Sequence, residues 1–247
     1  MKTFKTMLKI ESRLSLRDMN MPIFAIIMPL VIMVILGIIY GRKPAFDGAG
    51  YTFLEQSFGA LSAISICAGG LMGLPILVSD YRERKILKRF KVTPVSPAML
   101  LTVQVVIYTL YSAGSLLLLW IVAKLFLGFR MHGSWLSFLG GWLLVLGSML
   151  SIGILVGGIA KNSKKASIIA SILYFPMLIF SGATLPYEVM PRSLQTVSNV
   201  LPMTQGIKLL KAASLGLPAG NVLASIFVIA AIAVICIFIS LKSFRWE

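Results

Sequence analysis

Acidic residues are scarce in this 247-residue chain, where eight Asp and Glu stand against 23 Lys and Arg, and it holds one histidine and two cysteines. Each shortage excludes a chemistry. Intramembrane catalysis and proton-coupled transport keep ionisable groups at bilayer depth. Here Glu11, Asp18, Asp47, Glu55, Asp80, Glu83, Glu188 and Glu247 all lie outside the long apolar runs or at their ends. That argues against a membrane protease, a lipid transferase and a proton antiporter together. His132 has no second histidine and no carboxylate cluster to make a metal site, and reads as an interfacial residue. Cys67 and Cys236 sit inside apolar runs, without metal-ligand spacing or an extracellular pairing, and read as packing residues. The phosphate-cradling GxxxxGK[ST] pattern is missing, GGIAKNS at 157–163 being a poor approximation. Neither cofactor nor metal is therefore expected in this chain. Sodium coupling through unwound backbone needs no charge, and the glycine pairs at 69–70, 140–141 and 157–158 leave it open. Paired broken helices in two repeated halves are not seen.

What the chain does have is apolar length. Its hydrophobic content is 58%, its mean hydropathy +0.93 and its charged fraction 13%, values of an integral membrane protein. Runs at roughly 22–40, 56–79, 98–121, 134–160, 166–187 and 219–241 are each long enough to cross a hydrocarbon core about 30 Å thick. The first twenty residues, MKTFKTMLKIESRLSLRDMN, lack a continuous apolar core and a small-residue cleavage site, so the first run is expected to stay in the mature protein.

The formal net charge of +15 would suggest nucleic acid in a soluble protein, but in a membrane it reports topology first, and no nucleic-acid partner is expected. Six spans put both termini on one side. That side collects sixteen basic residues, in the N-terminal segment, the 80–97 loop, the 161–165 loop and the tail, against seven on the other. The positive-inside rule then predicts cytoplasmic termini.

Two connecting segments have patterns of their own. Residues 188–211 carry Leu194, Val197, Leu201, Ile207 and Leu210 at roughly helical spacing, but Pro191 and Pro202 interrupt them and Glu188, Arg192, Lys208 and Lys211 are costly in lipid. The pattern predicts a re-entrant or interfacial helical hairpin on the outer side, with an amphipathic outer loop as the alternative. Residues 80–97, DYRERKILKRFKVTPVSP, place six Lys and Arg between two apolar runs, with Ile86, Leu87 and Phe90 grouped on one helical face. A short amphipathic helix is predicted, stopped by Thr93-Pro94 and Ser96-Pro97. The charge alone fits anchoring on anionic lipid. The acidic start, apolar stripe and rigid exit also fit a helix docked in a partner's groove, and sequence physics weighs the two about equally.

The pattern Asp80, Arg82, Glu83, Leu87, Arg89, Val92, Thr93, Pro94, Val95, Ser96 and Pro97 resembles the cytoplasmic coupling segment of type-2 permeases of ATP-binding-cassette exporters. Residues 180–211, FSGATLPYEVMPRSLQTVSNVLPMTQGIKLLK, resemble that family's outer signature, with Pro186, Glu188, Pro191 and Pro202 in the hairpin and gate. The chain departs from the pattern at Lys85-Ile86, where Gly-Thr is usual, and at Leu201, where many members have Asn.

The resemblance implies one transmembrane domain over 1–247. Its fold would be all-α, with six transmembrane helices, an interfacial helix at 1–20, a coupling helix at 80–97 and an outer re-entrant hairpin at 188–211. It implies a half-transporter in a bacterial cell membrane, paired with a second copy of itself or a related permease. Two cytosolic ATPase subunits, which would hold ATP and Mg, would meet Asp80, Arg82, Glu83, Leu87, Arg89, Phe90, Thr93 and Pro94. It also implies that the second and fifth spans line the substrate path, with Phe58, Leu61, Tyr174, Phe175 and Phe180 as candidates. An uncharged, Met-rich lining suits hydrophobic or amphipathic cargo such as a drug, an antimicrobial peptide or a lipid-linked molecule. The alternatives are a polysaccharide or glycolipid exporter, a sodium-driven transporter, and a noncatalytic immunity or scaffold protein. For any single residue, close helix packing at Gly69-x-x-x-Gly73 or Gly153-x-x-x-Gly157 explains the small side chains as well as a substrate path does.

Overall fold

The structure, a computed structural model, describes residues 2–17, 23–41, 43–46, 48–87, 96–183, 190–218 and 222–243. Helices account for nearly all of them: α1 Lys2–Arg17, α2 Ile23–Tyr40, α3 Phe53–Glu83, α4 Pro97–Phe126, α5 Trp135–Ile159, α6 Ser163–Phe180, α7 Arg192–Val200, α8 Pro202–Leu215 and α9 Val222–Ser243. Six of these (α2 to α6 and α9) are long and apolar enough to cross a membrane, in agreement with the six expected spans.

Local chemistry sets the helix starts. Thr52 and Glu55 form a reciprocal capping box at the start of α3: the Thr52 N–H donates to Glu55 Oε2 at 2.7 Å and the Glu55 N–H to Thr52 Oγ1 at 3.2 Å. Ser96 caps α4 by accepting from the Met99 N–H, with Pro97 in the first helical position. Asn162 caps α6 by accepting from the Lys165 N–H at 2.9 Å.

The span ends differ from the sequence reading by a few residues, and at two of them the cause is visible. Helix α3 continues through the polar residues Asp80–Glu83, of which Tyr81, Arg82 and Glu83 find partners on or at the ends of neighbouring helices. Helix α6 stops at Phe180 rather than near 187, because Gly182 takes a left-handed φ of +88° just beyond it.

Helix α3 is the axis of the bundle and packs on α2, α4, α5, α6 and α8. Of its most apolar stretch 83% is buried, against 22% for α6 and 11% for α9. Its contact with α5 is closer than side chains allow. A Cβ added at Gly153 would stand 2.1 Å from the Gly70 carbonyl oxygen, and one at Gly157 would stand 2.8 Å from Val78 Cβ. The small-residue spacing read at 153 and 157 is thus a packing seam.

Three helices depart from α geometry at one level. Ile23–Ile27 in α2 and Ala68–Gly73 in α3 are π-helical, and Pro176 inside α6 lacks the N–H for its intrahelical bond. The two π segments touch each other, and α6 packs on that of α3.

Helix α1 is amphipathic: Met7 is buried and Phe4 and Leu8 pack on the core, while Lys5, Lys9 and Arg13 are exposed. It lies on α4 and is pinned by polar bonds. Tyr81 Oη donates to Glu11 Oε2 at 2.6 Å, Gln104 Nε2 donates to the same oxygen at 2.7 Å, and Tyr111 Oη donates to Ser15 Oγ at 2.8 Å.

Candidate functional site: a helix-end clip and the cleft beside it

The last turn of an α-helix leaves carbonyls without donors, and the first turn leaves N–H groups without acceptors. Where α5 ends and α6 begins, two adjacent side chains from α3 supply both. Arg82 Nη1 donates to the Gly157 and Ala160 carbonyls at 3.0 and 2.8 Å. Glu83 Oε2 accepts from the Ser163 N–H at 2.9 Å and from Ser163 Oγ at 2.8 Å. The signs match the helix dipoles, cation at a C-terminus and anion at an N-terminus. The end of α3 is therefore clipped to the 160–163 turn, and a displacement of one carries the other. Asp80 and Arg84 form an exposed ion pair one turn apart, at 2.9 Å, which contributes little to stability.

Just beyond the clip the chain reverses. Lys85 has φ +56°, the one positive value at a non-glycine among the described residues. This is the position where the resembling pattern carries glycine, and the backbone explains that preference. Ile86 and Leu87 resume helical geometry. Leu87, expected on an outward apolar stripe, is instead 1% exposed and shares one buried cluster with Met7, Leu100 and Val103. Arg89, Phe90, Thr93 and Pro94 lie outside the described residues.

Beside the clip a cleft of about 570 Å³ opens between α2, α3 and α6, at the level of their irregular turns. Phe24, Met28, Met72, Tyr108, Tyr174 and Phe175 line it, and Asp80 and Arg84 also border it. Of the residues expected along a substrate path, Tyr174 and Phe175 reach this cleft. Phe58 and Leu61 are packed inside the bundle, with the Phe58 ring 4.4 Å from that of Phe129 and 5.6 Å from that of Phe138. Phe180 ends α6, and its carbonyl accepts from Ser198 Oγ.

A second cleft of about 370 Å³ lies toward the other ends of α2 and α3, bounded also by residues 181–183 after α6 and by α8. One helical turn separates the two, between Met28 and Ile32 on α2 and between Ile64 and Ala68 on α3. In the 188–211 segment, Pro191 precedes α7 and Pro202 opens α8 after a turn at Leu201. Pro186 and Glu188 lie outside the described residues. Helix α8 runs to Leu215 and packs on α3, α5 and α9.

Sequence reasoning missed the polar contacts that organise both ends. Glu55, 5% exposed, holds the 128–132 loop by accepting from the Arg130 N–H at 3.1 Å and pairing with His132 Nε2 at 3.3 Å. Gln104 bonds Glu11 and Tyr81. A glutamine within LLTVQVVIY was a usable signal, since a polar side chain at membrane depth implies a partner. Among the described residues no group of three or more His, Cys, Asp and Glu comes together to hold a metal ion.

A multi-pass bundle with a charged clip at one end is the class of molecule this site defines, and comparison with known proteins places it more narrowly. The model of the ABC-2 type transporter family matches residues 2–215, and the chain belongs to that family. It is similar to the inner membrane transport permease YhhJ of Escherichia coli, 27% identical over 135 residues, or 53% of this chain and 35% of that protein. It is also similar to nodulation protein J of Rhizobium leguminosarum bv. viciae, 30% identical over 89 residues (36% and 32%), and of Sinorhizobium fredii, 30% over 90 residues (36% and 34%). The chain spans about a third of the length of the curated relatives it matches.

Proposed function

We propose that this chain is the membrane-spanning permease subunit of an ATP-driven exporter of hydrophobic or amphipathic compounds. Family membership supports the permease role, and the observation that carries the mechanism is the clip of Arg82 and Glu83 on the 160–163 turn. Two copies of a separate cytosolic ATPase, holding ATP and Mg, press on the 80–97 loop. The clip passes that displacement to the end of α5 and the start of α6. Irregular turns in α2, α3 and α6 let those helices bend at the level of the inner cleft. Cargo enters beside Tyr174 and Phe175 and leaves on the outer side, past the 188–211 hairpin. The termini lie in the cytoplasm of a bacterial cell.

A second copy of the chain completes the conduit. Ile168, Ile172, Phe175 and Ile179 recur at helical spacing on α6 and are 48–65% exposed in the single chain, a stripe suited to lipid or to a partner protomer.

The test is Arg82→Gln with Glu83→Gln in proteoliposomes holding the chain and its ATPase. Hydrolysis and copurification should persist while export of a fluorescent amphiphile falls by at least about tenfold, as expected when charge-assisted bonds that transmit motion are lost. Undiminished export in the double variant would show that the clip does not transmit the stroke. Export that follows a sodium gradient without ATP would replace the reading altogether.

A further inference from the structure

Helix α1 turns its one acid inward and its cations outward. The Glu11 carboxylate is taken up by Tyr81 and Gln104, and the Ser15 hydroxyl by Tyr111, so bonds to α3 and α4 fix which face of the helix points away from the bundle. On that face Lys5, Lys9, Arg13 and Arg17 follow one another at four-residue intervals, and all four are exposed. None of them is ion-paired among the described residues.

Beside this cationic stripe lies an apolar edge. Ile10 and Leu14, one turn apart, are each more than half exposed, although α1 is not one of the six spans. Cations along one side of a helix face and bulky apolar residues along the other suit the boundary between lipid head groups and acyl chains, where the first meet phosphate and the second leave water. Chain length keeps that boundary within reach: five residues separate Arg17 from Ile23, where the first span begins, a distance of at most about 20 Å. An acidic protein surface would also neutralise the cations, but the short connection holds α1 beside the bilayer whatever else is bound.

We propose that the outward face of α1 is a docking surface for anionic lipid. Lys5, Lys9, Arg13 and Arg17 meet the head-group phosphates, and Ile10 and Leu14 enter the upper acyl region. The bond between Glu11 and Tyr81 sets this surface one residue from the clip, since Tyr81 directly precedes Arg82 and Glu83. The assignment goes beyond the permease reading and does not rest on it.

The probe is the purified full chain labelled with the fluorophore NBD at Thr3→Cys, in a Cys236→Ala background. Thr3 is exposed and lies on the edge of Ile10 and Leu14, whereas the remaining Cys67 is fully buried. Nanodiscs of phosphatidylcholine are compared with nanodiscs holding about 30 mol% phosphatidylglycerol, without ATPase or nucleotide. Both leaflets then share one composition, so the result does not depend on orientation. Anionic lipid should raise NBD emission about twofold and shift it to shorter wavelength, and salt at about 1 M, with a Debye length of about 3 Å, should cancel most of the gain. Lys5→Gln, Lys9→Gln, Arg13→Gln and Arg17→Gln together should remove at least about two thirds of the response. Lys5→Arg, Lys9→Arg, Arg13→Lys and Arg17→Lys together keep the charge and should keep the response, which separates lipid docking from misfolding. Equal emission in the two lipids, or an undiminished response in the Gln variant, overturns the proposal. Emission that stays low in both lipids and rises only when a cytosolic ATPase is added gives the face to that protein and equally overturns it. No transport is measured, so failure here leaves the permease reading untouched.

Discussion

The second and fifth spans, α3 and α6, both border the cleft beside the clip, and α3 lines the second cleft as well, yet they are built for opposite tasks. Helix α3 is enclosed: its glycine contacts with α5 leave no space, its start is locked by the capping box, and the same Glu55 holds the 128–132 loop. Helix α6 is hydrogen-bonded at its ends, by Asn162 and Glu83 at the start and by Ser198 on the Phe180 carbonyl, and buries Ala166, Ala170, Tyr174 and Met177, while an apolar stripe on its other face stays exposed. Pro176 removes one bond from its ladder. A close-packed interior resists displacement, whereas a helix with few buried contacts and a broken ladder moves at lower cost. The difference suits α3 to be the fixed wall of the seam and α6 the wall that shifts.

The largest effect should come from breaking the fixed wall. Gly153→Ala puts a methyl carbon 2.1 Å from a backbone oxygen of Gly70, a clash no rotamer relieves. We expect a loss of several kcal/mol, beyond the usual range for a point substitution, read as failure to recover a monodisperse protein. Gly147 on the same helix faces open space, so Gly147→Ala should be neutral or slightly stabilising. Equal behaviour of the two variants would sink the picture of a rigid α3–α5 seam.

Phenylalanines on the two spans sharpen the comparison. Phe58 on α3 is fully buried against Phe129 and Phe138, and Phe58→Ala should cost about 3–5 kcal/mol through the cavity it leaves. Phe175 on α6 is 52% exposed, so Phe175→Ala should cost under about 1 kcal/mol while changing transport of bulky amphiphiles. Thermal melting beside a transport assay separates them. A Phe175 variant as unstable as the Phe58 variant would mean that α6 is as fixed as α3.

How far these roles could be read in the sequence depended on where the controlling information sits. The six spans were legible because hydropathy is local. Tyr174 and Phe175, expected on a substrate path from the family resemblance, line a cleft. The end of α3 was not. Asp80 to Glu83 look like a loop until Arg82 and Glu83 find the ends of α5 and α6, some seventy-five to eighty residues away in sequence. Leu87 was ambiguous for the same reason: its apolar character fits a partner's groove as well as the chain's own core, where it is buried. The π segment AGGLMG leaves no periodic signature in a run that is apolar all round, so the level at which the seam can bend was hidden.

The smallest effect lies where the fixed wall ends. Lys85 is exposed and adopts φ +56°, a conformation that crowds any Cβ against the backbone and that glycine enters freely. Lys85→Gly should therefore relieve strain. The gain is limited to about 0.5–1 kcal/mol, because glycine also widens the unfolded ensemble and gives part of the relief back. Charge is the competing explanation, since the substitution also removes one cation from a crowded loop. Lys85→Ala separates the two: it removes the same charge but keeps the Cβ, so strain relief predicts no gain for alanine and a small rise in melting temperature for glycine. Equal gains in both variants would assign the effect to charge repulsion. Neither should alter membrane orientation, because the other basic residues on that side still outnumber those opposite.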